Sequence, residues 1–163
     1  MGLSSTTYTN SWLKPITLIT YKGGSGTNDI QVFHFFEVSE NIRTDFGELD
    51  AFWYNSFIAI SRVNKALAAL NQIDEVEFPE KSTRIAEMKF LRGHFYFMLK
   101  IMYKYVPYVT EDIPVEEYGT ISNRALSNDD LWSAIAGDFE AAAQVLPSSQ
   151  PQVGRADKTA AYA

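Results

Sequence analysis

Apolar positions recur at helical spacing along the chain from residue 49 onward. Residues three and four apart share one face of an α-helix, and this pattern predicts a first helix over 49–71. The polar stretch that follows, which includes Pro79, ends the pattern. The apolar face contains Leu49, Phe52, Trp53, Ile60, Val63, Leu67 and Leu70.

A second helix, predicted over 82–105, carries apolar residues on two sides. A helix that is apolar on two sides needs packing partners on both. We therefore expect it to lie inside a layered helical array and to contact the first and third helices. The narrow remaining face is expected to reach water. One stripe contains Met88, Leu91, Phe95, Met98 and Met102, the other contains Phe90, His94, Phe97 and Ile101, and the remaining face contains Lys89, Gly93, Tyr96, Lys100 and Lys104.

A third helix is predicted over 128–146, and a fourth begins near the last residue of the sequence. Ser127 and Asp130 have capping-box spacing, with Asp in place of the preferred Glu or Gln. Pro147 ends the third helix, and the stretch RADKTAAYA has the pattern of the first turn or two of the next. Because so short a helix is marginal alone, we expect a fragment of a longer protein, with a truncated edge that promotes self-association.

The spacing of these elements is typical of stacked helix pairs. Phe139, Ala142 and Pro147 have the spacing of the second helix of a tetratricopeptide repeat, and Leu91 and Phe95 suit the first helix of one. A generic helical bundle would place core residues at the same intervals. The predicted fold class is mostly α, a tetratricopeptide-like helical array with an irregular N-terminal segment.

Residues 1–48 form that irregular segment, which we expect to pack on the helical region over 49–163 within a single domain. Its stretch YKGGSGTND has a loop composition. Aromatic rings can stack on the apolar faces of sugar rings while tolerating polar surroundings. They can equally fasten the segment to the helices. The candidate ligand-binding residues are Trp12, Tyr21, Phe35 and Phe36, with Phe33 beside them.

Composition and charge exclude several classes of function. The 163 residues contain no cysteine, which excludes disulfides, thiolate nucleophiles and cysteine-based zinc sites. A net charge of −6 is a poor match for nucleic acid, which is bound by clustered Lys and Arg. The sequence has no apolar run long enough for a membrane span, and its first residues do not have the regions of a signal peptide.

A search for catalytic groups finds no convincing site. The GGSG stretch lacks the Gly-Lys-Ser/Thr continuation of a phosphate loop. His34 and His94 have no ligand-type partner at helical spacing, and His94, among phenylalanines, is expected to be buried and satisfied. Adjacent carboxylates such as Glu111 and Asp112 do not create the facing acid and base of a glycosidase. We therefore expect a protein that is not an enzyme, with no metal and no cofactor; an enzyme whose site escapes this search is an alternative.

Four stretches, in order, resemble the SusD/RagB-like family. FWYNSFIAISRVNKAL resembles one of its helices, and AEMKFLRGHFYFMLKIMYKYVPYVTE resembles its segment Ala-Glu, Phe-Leu-Arg-Ala, an aromatic pair and Val-Pro, with Gly93 where Ala is usual. DLWSAIAGDFEAAAQVLP and GRADKTAAYA resemble the next helix and the start of the one after it. The matched residues include Ala86, Glu87, Phe90, Leu91, Arg92, Phe95, Tyr96, Phe97, Val106, Pro107, Ile135, Asp138, Phe139, Ala142, Leu146, Pro147, Gly154, Arg155, Ala160 and Ala161.

The resemblance implies a cell-surface lipoprotein of the outer membrane that binds an oligosaccharide or another nutrient. It implies delivery of that ligand to a SusC-type TonB-dependent transporter, and a helical scaffold whose irregular loops carry the ligand site. The lipid-anchored cysteine of the family is absent from this sequence. The matched residues look structural, so the resemblance supplies no binding residue. A generic helical-repeat scaffold for protein–protein interaction is the alternative.

Overall fold

The computed structural model describes residues 47–163. All regular secondary structure within this range is helical. Helix α1 spans Gly47–Gln72, α2 spans Lys81–Tyr103, α3 spans Asn128–Val145 and α4 spans Lys158–Tyr162, and a 3-10 helix spans Val115–Thr120. No strand occurs within this part of the chain. The mostly α fold is confirmed, and the ends of α1, α2 and α3 agree with the predicted ends to within about two residues.

Contacts divide the chain after Tyr54, and residues 55–163 form one compact unit. Each fully buried aliphatic side chain of its core contributes about 1.5–3 kcal/mol relative to an exposed one. The predicted boundary between the irregular segment 1–48 and the helical region 49–163 stays a prediction. The core side chains include Ile60, Leu67, Leu99, Val106, Val109, Leu131 and Ile135.

Helix α2 contacts both α1 and α3 and runs antiparallel to each, as the order of the contacts shows. The rings of Phe57 and Tyr96 meet edge to face with centroids 6.4 Å apart, which joins α1 to α2. The expected contact of the second helix with its two neighbours is therefore confirmed. The contacts in chain order are Phe57–Tyr96 and Asn64–Arg92 on the α1 side, and Phe90–Phe139 and Phe97–Trp132 on the α3 side.

The face of α2 that was predicted to reach water is instead buried at its centre. Tyr96 is 0% exposed and Lys100 is 3% exposed, and Gly93, about one turn before Tyr96 on the same face, is also buried. The Tyr96 hydroxyl donates to the Val109 carbonyl at 3.1 Å and accepts from the Val109 N–H at 2.7 Å. Because the Tyr96 hydroxyl has hydrogen-bond partners inside the protein, the apolar part of the Tyr96 side chain can pack in the core. The prediction of a wet lysine face was wrong for Gly93, Tyr96 and Lys100.

The apolar stripe of α2 that was predicted to be covered is partly open. Phe97 is 40% exposed and Ile101 is 43% exposed, and His94 is also exposed. Phe90, on the same stripe, is half-buried and packs edge to face on Phe139 with centroids 5.7 Å apart. The expectation of a buried His94 was therefore wrong, and the stripe is covered at Phe90 only.

Side-chain caps begin α3 and α4. The Ser127 hydroxyl accepts from the Asp130 N–H at 3.1 Å and donates to the Asp130 carboxylate at 2.6 Å, so the predicted cap is confirmed with a modified geometry. The Asp157 carboxylate accepts from the Ala160 N–H at 2.8 Å. Helix α4, whose start was also predicted, buries Ala161 in a cluster of small and aliphatic side chains from α2 and α3. Between residues 47 and 163, no helix has the length and hydropathy needed to cross a lipid bilayer.

Candidate functional site

A cleft of about 470 Å³ opens between α2, α3 and α4. Its wall is mainly aromatic, and the polar groups among its lining side chains are those of His94 and Glu140, the indole N–H of Trp132 and the hydroxyl of Tyr162. We call it the aromatic cleft. It is lined by Phe90, His94, Phe97, Trp132, Phe139, Glu140 and Tyr162, with small and aliphatic residues between them.

Of the phenylalanine, tryptophan and tyrosine rings of the aromatic cleft, two are half-buried and three are exposed to solvent. Phe90 and Phe139 are both half-buried. Phe97 and Trp132 lie with ring centroids 6.0 Å apart and planes inclined by 59°, and they are 40% and 38% exposed. Tyr162 is 70% exposed. The cleft therefore offers ring faces to solvent beside an apolar floor, which is an arrangement that suits a flat ligand with an apolar face.

The polar groups of the cleft can bind hydroxyl groups. Partial desolvation lowers the pKa of His94 below its ordinary value and so favours the neutral imidazole, which offers one donor and one acceptor. Glu140 adds an exposed acceptor on α3. Glycoside hydrolysis by the usual route requires two facing carboxyl groups. Among the described lining residues of the cleft, Glu140 supplies one carboxyl side chain.

Arg92 is the centre of a buried polar network on the other side of α2. Its Nε and Nη2 donate to the two oxygens of Asp138 at 2.7 and 2.8 Å, and its Nη1 donates to Asn64 at 3.2 Å and to Glu111. Burial alone would lower the pKa of Arg92, but the hydrogen bonds and charge of Asp138 outweigh it, so the pKa is raised. Helices α1, α2 and α3 are thereby joined by charge-assisted hydrogen bonds.

The same network holds the loop that leaves α2. The Tyr108 hydroxyl donates to Asp138 at 2.8 Å, and desolvation together with that carboxylate raises the pKa of Tyr108. The Asn64 amide donates to the Val109 carbonyl at 3.1 Å and to the Tyr118 hydroxyl at 2.9 Å. Residues 105–118 are therefore fixed to the helices by hydrogen bonds at four residues, Tyr108, Val109, Glu111 and Tyr118.

A second buried ion pair fixes the approach to α4. Glu87 is 6% exposed and accepts from Arg155 at 2.7 and 2.9 Å and from Arg84 at 2.9 and 3.0 Å. Gly154, with φ of 91°, takes a left-handed conformation that most side chains disfavour, and so turns the chain before Arg155. Glu87, Arg92, Asp138 and Arg155 are all residues that carried the family resemblance, and each one is part of an interhelical or loop-anchoring ion pair.

The predicted ligand-binding residues Trp12, Tyr21, Phe35 and Phe36 lie outside the described residues and stay predictions. Sequence reasoning missed the open rings of the aromatic cleft, which are those of Phe97, Trp132 and Tyr162. One signal was available for Trp132, which stands off the apolar stripe of α3 that runs from Leu131 through Ile135. Over residues 47–163, no three histidine or acidic side chains are grouped to hold a metal ion.

Comparison with protein families decides the relationship of this chain. A family described as starch-binding and associating with the outer membrane matches residues 5–163. The chain belongs to the SusD-like family. Among curated protein sequences, none matches this SusD-like chain.

Several solved structures share the fold of this SusD-like chain and cover 98% of it. They include a SusD-like protein from Bacteroides fragilis, with 22% identity and a TM-score of 0.69, and a laminarin-binding SusD-like protein, with 20% identity and a TM-score of 0.65. A surface glycan-binding protein A from Bacteroides fluxus has 20% identity and a TM-score of 0.67. The chain spans 33% of the first of these proteins and 38% of each of the other two.

Proposed function

We propose that this SusD-like chain binds glycan at the cell surface of the outer membrane and does not cleave it. The observation that carries the proposal is the match of residues 5–163 to a family described as starch-binding and associating with the outer membrane. Two structural neighbours are a laminarin-binding protein and a surface glycan-binding protein, which supports the same class of ligand.

Within the described residues, the open rings of the aromatic cleft are the best candidates for glycan contact. The indole of Trp132 is the largest ring face at the mouth, and its Nε1–H can donate to a sugar hydroxyl. Phe97 supports it at 6.0 Å, and both rings are more than a third exposed. The neutral imidazole of His94 lies among the lining residues as a second hydrogen-bonding group. Trp132 would then stack on the sugar, with His94 fixing its orientation.

Affinity electrophoresis of the 163-residue chain in gels containing starch or laminarin tests this proposal. We expect at least one of these neutral glycans to retard the wild-type chain. Trp132→Ala should weaken retardation about tenfold, which corresponds to about 1.4 kcal/mol, whereas Trp132→Phe should keep most of it because a ring face remains. Tyr54→Ala is a matched control, since it removes an exposed ring of α1 that is 64% exposed and lies outside the aromatic cleft.

A Trp12→Ala variant compares the two candidate surfaces in the same gels. If Trp12→Ala abolishes retardation and Trp132→Ala does not, with unchanged helical circular dichroism in both, the N-terminal segment carries the ligand and the aromatic cleft does not. Absence of retardation by any glycan of a wide panel, neutral and anionic, would contradict glycan binding itself. Release of reducing sugar by the wild-type chain, abolished by changing one carboxylate, would contradict the non-enzymatic reading.

The proposed partner is a SusC-type TonB-dependent transporter, to which the bound glycan is delivered. Membership of an outer-membrane-associated family supports this step. Affinity purification of the tagged native protein from detergent-solubilised outer membranes should recover a TonB-dependent transporter, identified by mass spectrometry. A tagged lipoprotein of another family, purified from the same membranes, is the control. Recovery of no transporter, or of the same transporter with the control, would contradict the partnership.

A protein-interaction scaffold is the second candidate function. The apolar floor of the aromatic cleft favours it, because Phe90, Ile135 and Phe139 would also accept the apolar face of a helix. The two functions differ in one measurement. A scaffold would show no retardation by glycans, whereas a glycan-binding protein would be retarded, with retardation about tenfold weaker for Trp132→Ala.

A further inference from the structure

Three cationic side chains surround the ring of Tyr105, directly after the end of α2. The Arg124 guanidinium lies 4.4 Å from the ring centroid, and the ammonium groups of Lys104 and Lys100 lie 5.5 and 5.6 Å from it. Distances below about 6 Å are those of cation–π contacts. We call this group of four residues the basic ring cluster. Its charges lie within about one Debye length of each other at 0.1 M salt, so they repel one another.

The backbone of the basic ring cluster is strained at Lys104. This residue has φ of 64° and ψ of −48°, and the Tyr105 N–H donates to the Tyr103 carbonyl at 2.7 Å. A γ-turn of this hand is rare and strained for a residue with a side chain. The Lys100 ammonium donates to the Lys104 carbonyl and so holds the turn. Residues held in such conformations concentrate at functional sites, where the surrounding structure offsets the strain.

Within residues 47–163, no direct ion pair neutralises the positive charge of the cluster. Between residues 47 and 163, the ion pairs with carboxylates involve Arg84, Arg92 and Arg155, and none involves a member of the basic ring cluster. Lys100 is 3% exposed and donates to the Asn128 side chain at 2.7 Å, and the Asp129 carboxylate is reached only through that amide. A buried cation without a direct counter-charge is costly, and here it occurs in a chain with a net charge of −6.

The basic ring cluster adjoins the aromatic cleft through Trp132. The Lys100 ammonium lies 5.6 Å from the centroid of the Trp132 ring, and Trp132 in turn contacts Phe97 at the mouth of the cleft. A ligand that stacks on Trp132 therefore reaches the region where Lys104 and Arg124 are exposed. Its negative charge would relieve the repulsion among the three cations, and the Arg124 guanidinium would bind a carboxylate or sulfate group through paired donors.

We propose that the basic ring cluster binds an anionic substituent, a sulfate ester or a uronic acid carboxylate, of a glycan held at the aromatic cleft. This inference rests on the proposed glycan-binding function and adds the charge class of the ligand. Lys104 and Arg124 make the contact. Lys100 positions Lys104 through its carbonyl and sets the local potential from inside the protein.

Affinity electrophoresis in gels with dextran or dextran sulfate of equal chain length tests the proposal. The wild-type chain should bind dextran sulfate at least about tenfold more tightly than dextran at low salt. Lys104→Gln with Arg124→Gln should remove that preference and leave retardation by neutral glycans unchanged. Lys104→Arg with Arg124→Lys, which keeps both charges, should retain it. Arg62→Gln with Lys65→Gln is the matched control, because it removes the same charge from exposed positions of α1.

The outcomes separate this inference from the proposed function. Equal losses in the Lys104/Arg124 and Arg62/Lys65 double variants would show only general charge attraction and would overturn the basic ring cluster as a site. Full displacement of dextran sulfate by inorganic sulfate, at the same concentration of sulfate groups, would overturn the assignment to a glycan. If neutral glycans retard the wild-type chain and dextran sulfate adds nothing, the inference fails and the proposed function stands. If dextran sulfate is bound through the cluster and no neutral glycan is bound, the expected retardation by neutral glycans is contradicted and the anion site is supported.

Discussion

Replacing Asp138 with alanine should cost more stability than any surface change in the described helices. Asp138 is 5% exposed and accepts two hydrogen bonds from Arg92 and one from the Tyr108 hydroxyl. The substitution leaves the Arg92 guanidinium, itself 5% exposed, with Glu111 as its single remaining carboxylate partner among the described residues. It also leaves the Tyr108 hydroxyl without its carboxylate acceptor.

The magnitude follows from these losses. Removing one partner of a buried ion pair costs about 3–5 kcal/mol, because the other charge stays buried. A buried hydroxyl that loses its acceptor costs about 1–3 kcal/mol more, although Glu111 offsets part of the first cost and the two costs overlap. We therefore expect Asp138→Ala to lower the free energy of unfolding by about 3–5 kcal/mol, a large part of the 5–15 kcal/mol typical of a domain.

Urea unfolding followed by far-ultraviolet circular dichroism measures this difference. With a slope of about 2 kcal/mol/M, the midpoint for Asp138→Ala should fall by about 2 M. Glu140→Ala is the matched control on the same helix, where an exposed carboxylate is removed, and its effect should stay within about 0.5 kcal/mol. A loss below about 1 kcal/mol for Asp138→Ala would refute the account of the network as a structural joint between α2, α3 and the following loop.

Three further predictions concern the same scaffold. Burial would raise the pKa of Glu111, but hydrogen bonds from its own backbone and from Arg92 outweigh this and lower it. Glu111 therefore stabilises the fold above its ordinary pKa and loses that effect as pH falls through the lowered value. The stability difference between wild type and Glu111→Gln should be full at pH 7 and vanish in acid, as pH-dependent urea titrations would show. A Cβ at Gly93 would meet the Phe139 ring at 3.3 Å; Gly93→Ala should stay within about 1 kcal/mol, because helix propensity offsets the crowding, whereas Gly93→Val should destabilise by about 1–3 kcal/mol. Glu87→Ala should cost about 3 kcal/mol in the same assay, since it leaves Arg84 and Arg155 without their shared buried carboxylate.

The helices of this chain could be predicted because each one combines apolar periodicity with a local end signal. Pro147 and the Ser127 cap bound α3, and the polar stretch with Pro79 separates α1 from α2. These signals act within a few residues and need no knowledge of the partner. The ends of the helices were therefore close to the observed ones.

The exposure of the faces of α2 could not be predicted in the same way. Tyr96 and Lys100 look polar in a sequence, but their hydrogen-bond partners are Val109, Asn128 and the Lys104 carbonyl, and only the folded chain brings these groups close. Phe97 looks like a core residue, yet it lies at the mouth of a cleft. Which amphipathic face is covered depends on tertiary packing rather than on periodicity.

The candidate site was beyond sequence reasoning for a related reason. Its parts come from α2, α3 and α4, and the basic ring cluster adds Arg124 from the loop before α3. The residues that carried the family resemblance form ion pairs in the scaffold, as Glu87 with Arg155 and Arg92 with Asp138 show. A pattern shared for structural reasons identifies the fold without identifying the ligand-binding residues.

Tryptophan fluorescence tests the central claim, that the aromatic cleft binds glycan, most directly. The chain has three tryptophans, so a Trp12→Phe, Trp53→Phe variant reports from Trp132 alone. It should be titrated with the glycan that retards the wild-type chain most strongly in gels. We expect a saturable change in emission at the concentrations that retard the chain, and about tenfold weaker binding by Trp132→Ala in gels. Emission that stays constant while the chain binds the glycan, or equal binding by Trp132→Ala, would contradict this claim.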